Sequence, residues 1–177
     1  DCHVFLTGSK GNRREGRPFA ARTTDGGLTW KFLGFIGPEP SGYSIMPGTV
    51  RVGPADLVST VRVREANEGK SWIDAYASHD DGKTWTFLTR AVPDTGEGNP
   101  PSLLRLADGS ILRAWDNSTK DRYPLVVAVS TDECQTWSTP RIVTEPGNGA
   151  EAFKTACYPS LAQAADGTIV MTWWETG

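Results

Sequence analysis

The sequence is poor in several features that mark whole classes of protein. Among its 177 residues are three cysteines, Cys2, Cys134 and Cys157, which are odd in number and widely scattered. They fit neither a disulfide framework nor the paired spacing of a zinc site, so free thiols and no metal are expected. A formal charge of −3 gives no reason to expect nucleic acid or an anionic membrane as a partner.

Long apolar runs are also missing. No stretch of about 18 apolar residues is present, so no membrane-spanning helix is predicted. No basic and then apolar leader precedes Asp1, and the cellular compartment stays open. Hydrophobic residues make up 38% of the chain and charged residues 22%, which is the composition of an ordinary globular domain.

A sustained helical period is absent as well. Residues 103–106 and 111–115 are short apolar segments around a turn, as in a tight hairpin. Residues 125–129 (LVVAV) form an unbroken apolar run that is typical of a buried strand. Glycine and proline concentrate between these segments, so the chain is predicted to be all-β.

What the sequence does contain is one motif written three times. Residues 23–30 (TTDGGLTW), 78–85 (SHDDGKTW) and 130–137 (STDECQTW) share the pattern Ser/Thr-x-Asp-x-Gly-x-Thr-Trp, with Cys134 in place of the last glycine. Successive aspartates lie 55 and 52 residues apart, a period that suits one four-stranded propeller blade.

A second repeat gives a similar period. Residues 101–115 contain Pro-Ser-Leu, then Asp-Gly, Ile and Trp, and residues 159–173 repeat this order after 58 residues. The repeats predict a single partial propeller over residues 1–177. Its expected parts are an incomplete blade at 1–37, complete blades at 43–92 and 99–143, and an incomplete blade at 158–177.

The shared motif has a local structural role. Its hydroxyl and carboxylate oxygens are suited to accept hydrogen bonds from backbone N–H groups across the turn, and the tryptophan covers the turn with an apolar ring. We therefore assign a structural rather than a catalytic role to three aspartates and three tryptophans: Asp25, Trp30, Asp80, Trp85, Asp132 and Trp137.

The three motifs resemble the Asp-box (BNR) repeats of the sialidase, or neuraminidase, superfamily. This resemblance implies a sialidase-like β-propeller of four-stranded blades, with a six-bladed parent. It also implies an exo-acting retaining glycoside hydrolase that needs no cofactor and takes a carbohydrate substrate, namely terminal sialic acid or a related acidic sugar. Sialidases use three arginines on the substrate carboxylate, a tyrosine nucleophile assisted by a glutamate, and an aspartate acid/base, an exception to the usual pair of carboxylates.

The chain offers its own candidates for these roles. Tyr158 beside Glu97 is the candidate nucleophile with its assisting carboxylate. The loop comparable to that of the acid/base contains Glu15 and no aspartate. Clustered arginines suit a sugar carboxylate because their planar groups bind it with two hydrogen bonds. The candidate substrate-binding residues are Arg13, Arg14, Arg64, Arg122 and Asp116.

Three classes of function remain open at this point. An exo-glycosidase follows from the family resemblance. A non-catalytic propeller that binds a glycan or a protein needs no acid/base pair, and the Phe/Tyr-Arg-Ile-Pro element of sialidases is absent from residues 1–177. A polysaccharide lyase acting on uronic acids would also need basic residues and a tyrosine at the axis.

The number of predicted strands makes about three and a quarter blades, whereas closed propellers have about four to eight. An unclosed propeller exposes sheet edges and an apolar blade face. We therefore expect the chain to be a piece of a longer protein, or to close its propeller by self-association with a second chain.

Overall fold

The chain folds into four antiparallel sheets, seen in a computed structural model that describes residues 2–9, 16–65, 70–96, 101–117, 124–144 and 155–176. The first sheet consists of β1 (Cys2–Ser9), β2 (Gly16–Thr23) and β3 (Lys31–Phe35). The second consists of β4 (Tyr43–Arg51), β5 (Leu57–Arg64), β6 (Ser71–Ser78) and β7 (Thr86–Val92). In both sheets, spatial order follows chain order.

The third and fourth sheets repeat this arrangement. The third consists of β8 (Ser102–Arg105), β9 (Ile111–Asp116), β10 (Leu125–Ser130) and β11 (Arg141–Ile142). The fourth consists of β12 (Thr155–Gln163) and β13 (Ile169–Thr176). The described part of the chain holds strands and no helix, so the prediction of an all-β fold with four-stranded blades is confirmed.

Neighbouring sheets pack face to face, as propeller blades do. Strand β4 contacts β1, β2 and β8, and β12 contacts β8 and β9. The strands β4, β8 and β12, which begin the second, third and fourth blades, therefore lie next to one another in chain order. Between the second and third blades, Val58 and Ala75 pack against Leu103, Ile111 and Cys134. The core is therefore divided into layers between blades.

Glycine allows the closest approach between two blades. A Cβ atom on Gly34 of β3 would run into the backbone carbonyl of Lys83, which belongs to the second blade's Asp-box turn. A Cβ atom on Gly48 of β4 would similarly run into the carbonyl of Pro101, just before β8. The absence of a side chain at Gly34 lets the Asp-box turn of the second blade pack closely against the first blade. Its absence at Gly48 brings β4 close to the residue that precedes β8.

Within the described residues, no helix has the length and apolarity needed to cross a membrane.

Candidate functional site

Two inner strands share a backbone irregularity at the same place. The pairing register shifts between Ile45 and Gly48 in β4, and between Cys157 and Ser160 in β12. At these bulges Met46 and Tyr158 each have a φ of 55°, in the left-handed region that side-chain-bearing residues rarely adopt. Such bulges redirect a side chain, and they recur beside functional sites.

A cavity of about 490 Å³ lies where these bulges meet the start of the third blade. Tyr158 is 48% exposed and Met46 is 36% exposed, so both side chains can be reached from solvent. All described residues around the cavity are uncharged: Phe5, Met46, Pro47, Gly48, Thr49, Pro101, Ser102, Leu103, Tyr158 and Pro159. We call this space the axial cavity.

An arginine and a tyrosine meet at the ends of two strands in the second blade. Tyr43 begins β4 and pairs in register with Arg64, the last residue of β5. The Arg64 guanidinium donates a hydrogen bond from Nη1 to the Tyr43 hydroxyl oxygen at 3.4 Å. The guanidinium of the buried Arg62 lies 6.0 Å from the centre of the Tyr43 ring. This edge of the blade therefore carries two positive charges beside one phenol.

The remaining sequence candidates fall into two groups. Asp116 is fully buried at the end of β9, which is the strand of the third blade that matches β5. The candidates Glu15, Glu97, Arg13, Arg14 and Arg122 lie outside the described residues. Among the candidates, the structure thus positions Tyr158 at the axial cavity, Arg64 on Tyr43, and Asp116 in the blade interior.

The Asp-box aspartates form hydrogen bonds within their own turns. Asp80 accepts hydrogen bonds from the backbone N–H of Thr84 at 2.9 Å and from the Thr84 hydroxyl at 2.6 Å. The Ser78 hydroxyl accepts a hydrogen bond from the Gly82 N–H at 2.9 Å. Asp25 and Asp132 bind Thr29 and Thr136 in the same way. These bonds hold the pKa of all three aspartates below the ordinary value, and that of Asp80 is about 2.

The tryptophans of the three boxes differ in one respect. Trp30 donates its indole N–H to the carbonyl of Gly27 at 3.0 Å, and Trp85 donates to the carbonyl of Gly82 at 3.1 Å. In the third box, Trp137 Nε1 is buried with no hydrogen-bond acceptor in the described part of the chain. The third box is also the one in which Cys134 replaces glycine.

A charged cluster that sequence reasoning did not single out joins the first two blades. Asp81 accepts hydrogen bonds from Arg51 Nη2 at 2.6 Å and from Arg22 Nη1 at 3.2 Å, and His3 Nε2 lies 3.3 Å away. Partial burial acts to raise the pKa of Asp81, but the Arg51 hydrogen bond and the three neighbouring charges outweigh it and lower the pKa below 3.8. These groups line a cavity of about 530 Å³. Because the Asp81 carboxylate already binds both arginines, we interpret the cluster as a structural contact that links the first and second blades.

No group of three or more histidine, cysteine, aspartate or glutamate side chains suited to a metal occurs among the described residues.

Comparison with solved structures identifies the fold. A protein of unknown function from Dyadobacter fermentans has a TM-score of 0.75 and 17% identity, covering 98% of this chain and 46% of its own. The α-L-arabinofuranosidase of Fusarium graminearum, solved with an iminosugar inhibitor, has a TM-score of 0.67 and 17% identity over 98% of this chain and 52% of its own. The NanB sialidase of Streptococcus pneumoniae, as its K499G mutant, has a TM-score of 0.66 and 17% identity over 97% and 25% of the two chains.

The chain thus spans about half of the first two of these structures and a quarter of the third. At this identity the likeness shows the fold, which is a partial β-propeller of the kind seen in glycoside hydrolases. A comparison with curated protein sequences finds no significant match. The family described as "BNR repeat-like domain" matches residues 4–171, nearly the whole chain. The chain belongs to the BNR repeat-like domain family, and the predicted sialidase-like propeller is confirmed.

Proposed function

We propose that the chain is part of an exo-acting glycoside hydrolase of the sialidase type, which cleaves terminal sialic acid or a related acidic sugar from glycans at the axial cavity. The observation that supports this most is Tyr158. Its side chain is about half exposed at the cavity, on a backbone conformation that is costly for a residue with a side chain. Because this backbone conformation costs free energy, its presence at a concave surface indicates that the position of the Tyr158 side chain matters for function.

The chemistry that we propose uses Tyr158 as the nucleophile. Its hydroxyl oxygen forms a bond to the anomeric carbon as the bond to the leaving oxygen breaks. Glu97 accepts the phenolic proton, and Glu15 donates a proton to the leaving oxygen. Water then attacks the anomeric carbon and gives a proton to the Glu15 carboxylate, while the glycosyl–tyrosine bond breaks and Glu97 returns its proton to the tyrosine oxygen. Both glutamates lie outside the described residues, and we assign them these roles as the acidic residues that the sequence offers near the inner strand and in the first loop.

In this proposal, arginine side chains recognise the acidic sugar. Arg64 is held by its hydrogen bond to Tyr43 at the end of its strand, which reduces the conformational entropy lost when it binds a carboxylate. Arg13, Arg14 and Arg122 are further candidates, whereas Asp116, predicted from the sequence as a substrate-binding residue, is fully buried in the third blade and is not given a sugar contact in this proposal. Guanidinium groups suit this task because they form two parallel hydrogen bonds with a carboxylate.

A hydrolase acting on a neutral sugar is the second candidate. The described lining of the axial cavity is uncharged. One of the solved structures with this fold is an α-L-arabinofuranosidase. A neutral furanose needs hydrogen-bonding groups and apolar contact rather than arginines, and Ser102, Thr49 and Tyr158 offer hydroxyls. A binding propeller without chemistry, or a lyase acting on uronic acids, would use the same cavity.

Hydrolysis assays on the full-length protein separate these functions. A sialic acid conjugate, an aryl α-L-arabinofuranoside and a uronic acid polysaccharide serve as substrates, with Tyr158→Phe as the matched variant. The proposal predicts release of the acidic sugar and a loss of about 100-fold or more in kcat for Tyr158→Phe, with the fold intact. Release of arabinose alone would support the second candidate. Binding of a glycan without turnover would indicate a binding module and overturn the enzymatic proposal.

A further inference from the structure

A buried arginine lies in the interface between the second and third blades. Arg113 stands in the middle of β9, is 1% exposed, and pairs in register with Leu103 and Ala128. Arginine is almost never fully buried unless it has a partner, so this position requires an explanation.

Two indole rings enclose the guanidinium. The Arg113 Cζ atom lies 4.2 Å from the ring centre of Trp115 and 4.0 Å from that of Trp137. Both contacts are within the range of cation–π attraction, which recovers part of the cost of burying a charge. Burial lowers the pKa of Arg113 to about 9, so the group stays positively charged at neutral pH.

Three buried N–H groups of this stack have no acceptor, whereas the Trp115 indole N–H donates a hydrogen bond to Asn117 Oδ1 at 3.3 Å. Arg113 Nε and Nη1 are buried and make no hydrogen bond within the described part of the chain, and the same holds for Trp137 Nε1. Cys134 is the one ionisable group whose charge acts on the pKa of Arg113 among the described residues. Burial raises the pKa of its thiol to about 12, so it supplies no negative charge at neutral pH. Buried donors and a buried charge without counterparts are both costly.

Other blades carry no charge at the matching position. In the second blade, Leu57 pairs with Ser78, the first residue of the Asp box, and Ser59 follows two residues later. In the third blade, Ile111 pairs with Ser130 in the same way, and Arg113 follows two residues later. The sequence repeat gives Met171 as the corresponding residue of the fourth blade. The requirement for an acceptor is therefore particular to the interface that contains Arg113.

We propose that the Arg113 guanidinium binds a small monovalent anion, of the size of chloride, in the interface between the second and third blades. Such an anion accepts hydrogen bonds from several N–H groups at once and neutralises the charge, whereas a water molecule supplies only the hydrogen bonds. A residue that is 1% exposed excludes a sugar or a larger carboxylate. The site is distinct from the axial cavity, and its occupancy stabilises the packing of the two blades.

Thermal unfolding of the full chain in sodium chloride and in sodium gluconate, at one ionic strength, tests this site. Chloride is expected to raise the Tm by about 2–8 °C in a saturable manner, because it binds the folded state, while the bulky gluconate has no such effect. Arg113→Met introduces the residue of the fourth blade and is expected to give the same Tm in both salts. The control Arg105→Met changes an exposed arginine of the same blade and is expected to keep the chloride response.

An equal Tm in both salts for the unaltered protein would overturn the proposal, as would a chloride response that survives Arg113→Met. A second measurement does not depend on whether that variant folds. Crystals of the unaltered protein soaked in sodium bromide are expected to show an anomalous peak within hydrogen-bonding distance of Arg113 Nε or Nη1. No bromide peak at Arg113 would count against the anion site.

Discussion

Asp80 holds Thr84 by two hydrogen bonds, one to the backbone N–H at 2.9 Å and one to the hydroxyl at 2.6 Å. The pair closes the turn between β6 and β7. Replacing Asp80 by alanine removes both bonds, together with those from the Ser78 hydroxyl and the Lys83 N–H, so we expect the free energy of unfolding to fall by about 1–2 kcal/mol. Urea denaturation followed by tryptophan fluorescence measures this change.

A double-mutant cycle with Thr84→Val provides the control for this prediction. Because the two residues interact directly, the double variant should lose less stability than the sum of the two single changes. Additive effects would show that the bonds do not contribute as a pair. A loss of turnover per folded molecule in Asp80→Ala would contradict the structural role that we assign to this residue.

The same turns predict a response to acid. The Thr84 hydroxyl and N–H hold the pKa of Asp80 at about 2, below its ordinary 3.8, and Asp25 and Asp132 are lowered by equivalent bonds. A lowered pKa means that the folded state favours the charged carboxylate. The stability contributed by these groups is therefore fully present above pH 4, and it is lost as the pH falls from about 4 to 2.

The measurement is Tm as a function of pH between 2 and 6. Asp80→Asn, which cannot ionise, should be less stable at pH 6 and should show a shallower fall below pH 4. If the unaltered protein and Asp80→Asn gave parallel curves, the carboxylate of Asp80 would not be a source of the acid sensitivity.

Cys134 combines backbone strain with good packing. Its φ is 71°, as expected for a position that holds glycine in the other two boxes, and its side chain is fully buried against Val58, Ala75, Leu103 and Ile111. From the sequence, restoring glycine is expected to stabilise the chain. The observed packing offsets that gain, because glycine relieves strain of about 1 kcal/mol but removes a similar amount of buried contact.

We therefore expect Cys134→Gly to leave the free energy of unfolding within about 1 kcal/mol of the unaltered protein. Cys134→Ala keeps the strained φ and loses the sulfur, so it should be less stable by about 1 kcal/mol. The order in which alanine is worse than glycine is unusual for a buried site. Chemical denaturation of the two variants decides it, and an alanine variant more stable than the glycine variant would show that packing outweighs strain.

The fold can be predicted from the sequence because the Asp box is a local motif. The hydroxyl, carboxylate and tryptophan that shape each turn lie within eight consecutive residues, so their role can be inferred without knowledge of the tertiary structure. The bulges at Met46 and Tyr158 could not be predicted in this way, because the prolines that follow them favour an extended preceding residue, whereas both residues have a φ of 55°.

Arg113 and Asp81 gave no signal that could be read along the chain. Arg113 lies in an apolar strand segment, and its burial depends on Trp137, 24 residues away. Asp81 meets Arg22 from a separation of 59 residues. Such contacts follow from how blades pack, and the period of the repeats does not specify them.

Gly34 tests that packing between the first and second blades. A methyl group there would lie 3.0 Å from the Lys83 carbonyl carbon and closer still to its oxygen, both in the rigid Asp-box turn. Gly34→Ala should therefore force the blades apart and lower the free energy of unfolding by about 3 kcal/mol or more. Gly109→Ala is the matched control, because its φ is 89° and the nearest atom to the added methyl lies 4.0 Å away. That variant carries backbone strain without a clash and should lose about 1 kcal/mol. Equal losses in the two variants, measured by urea denaturation, would mean that the turn at Lys83 does not pack on β3 as closely as the structure indicates.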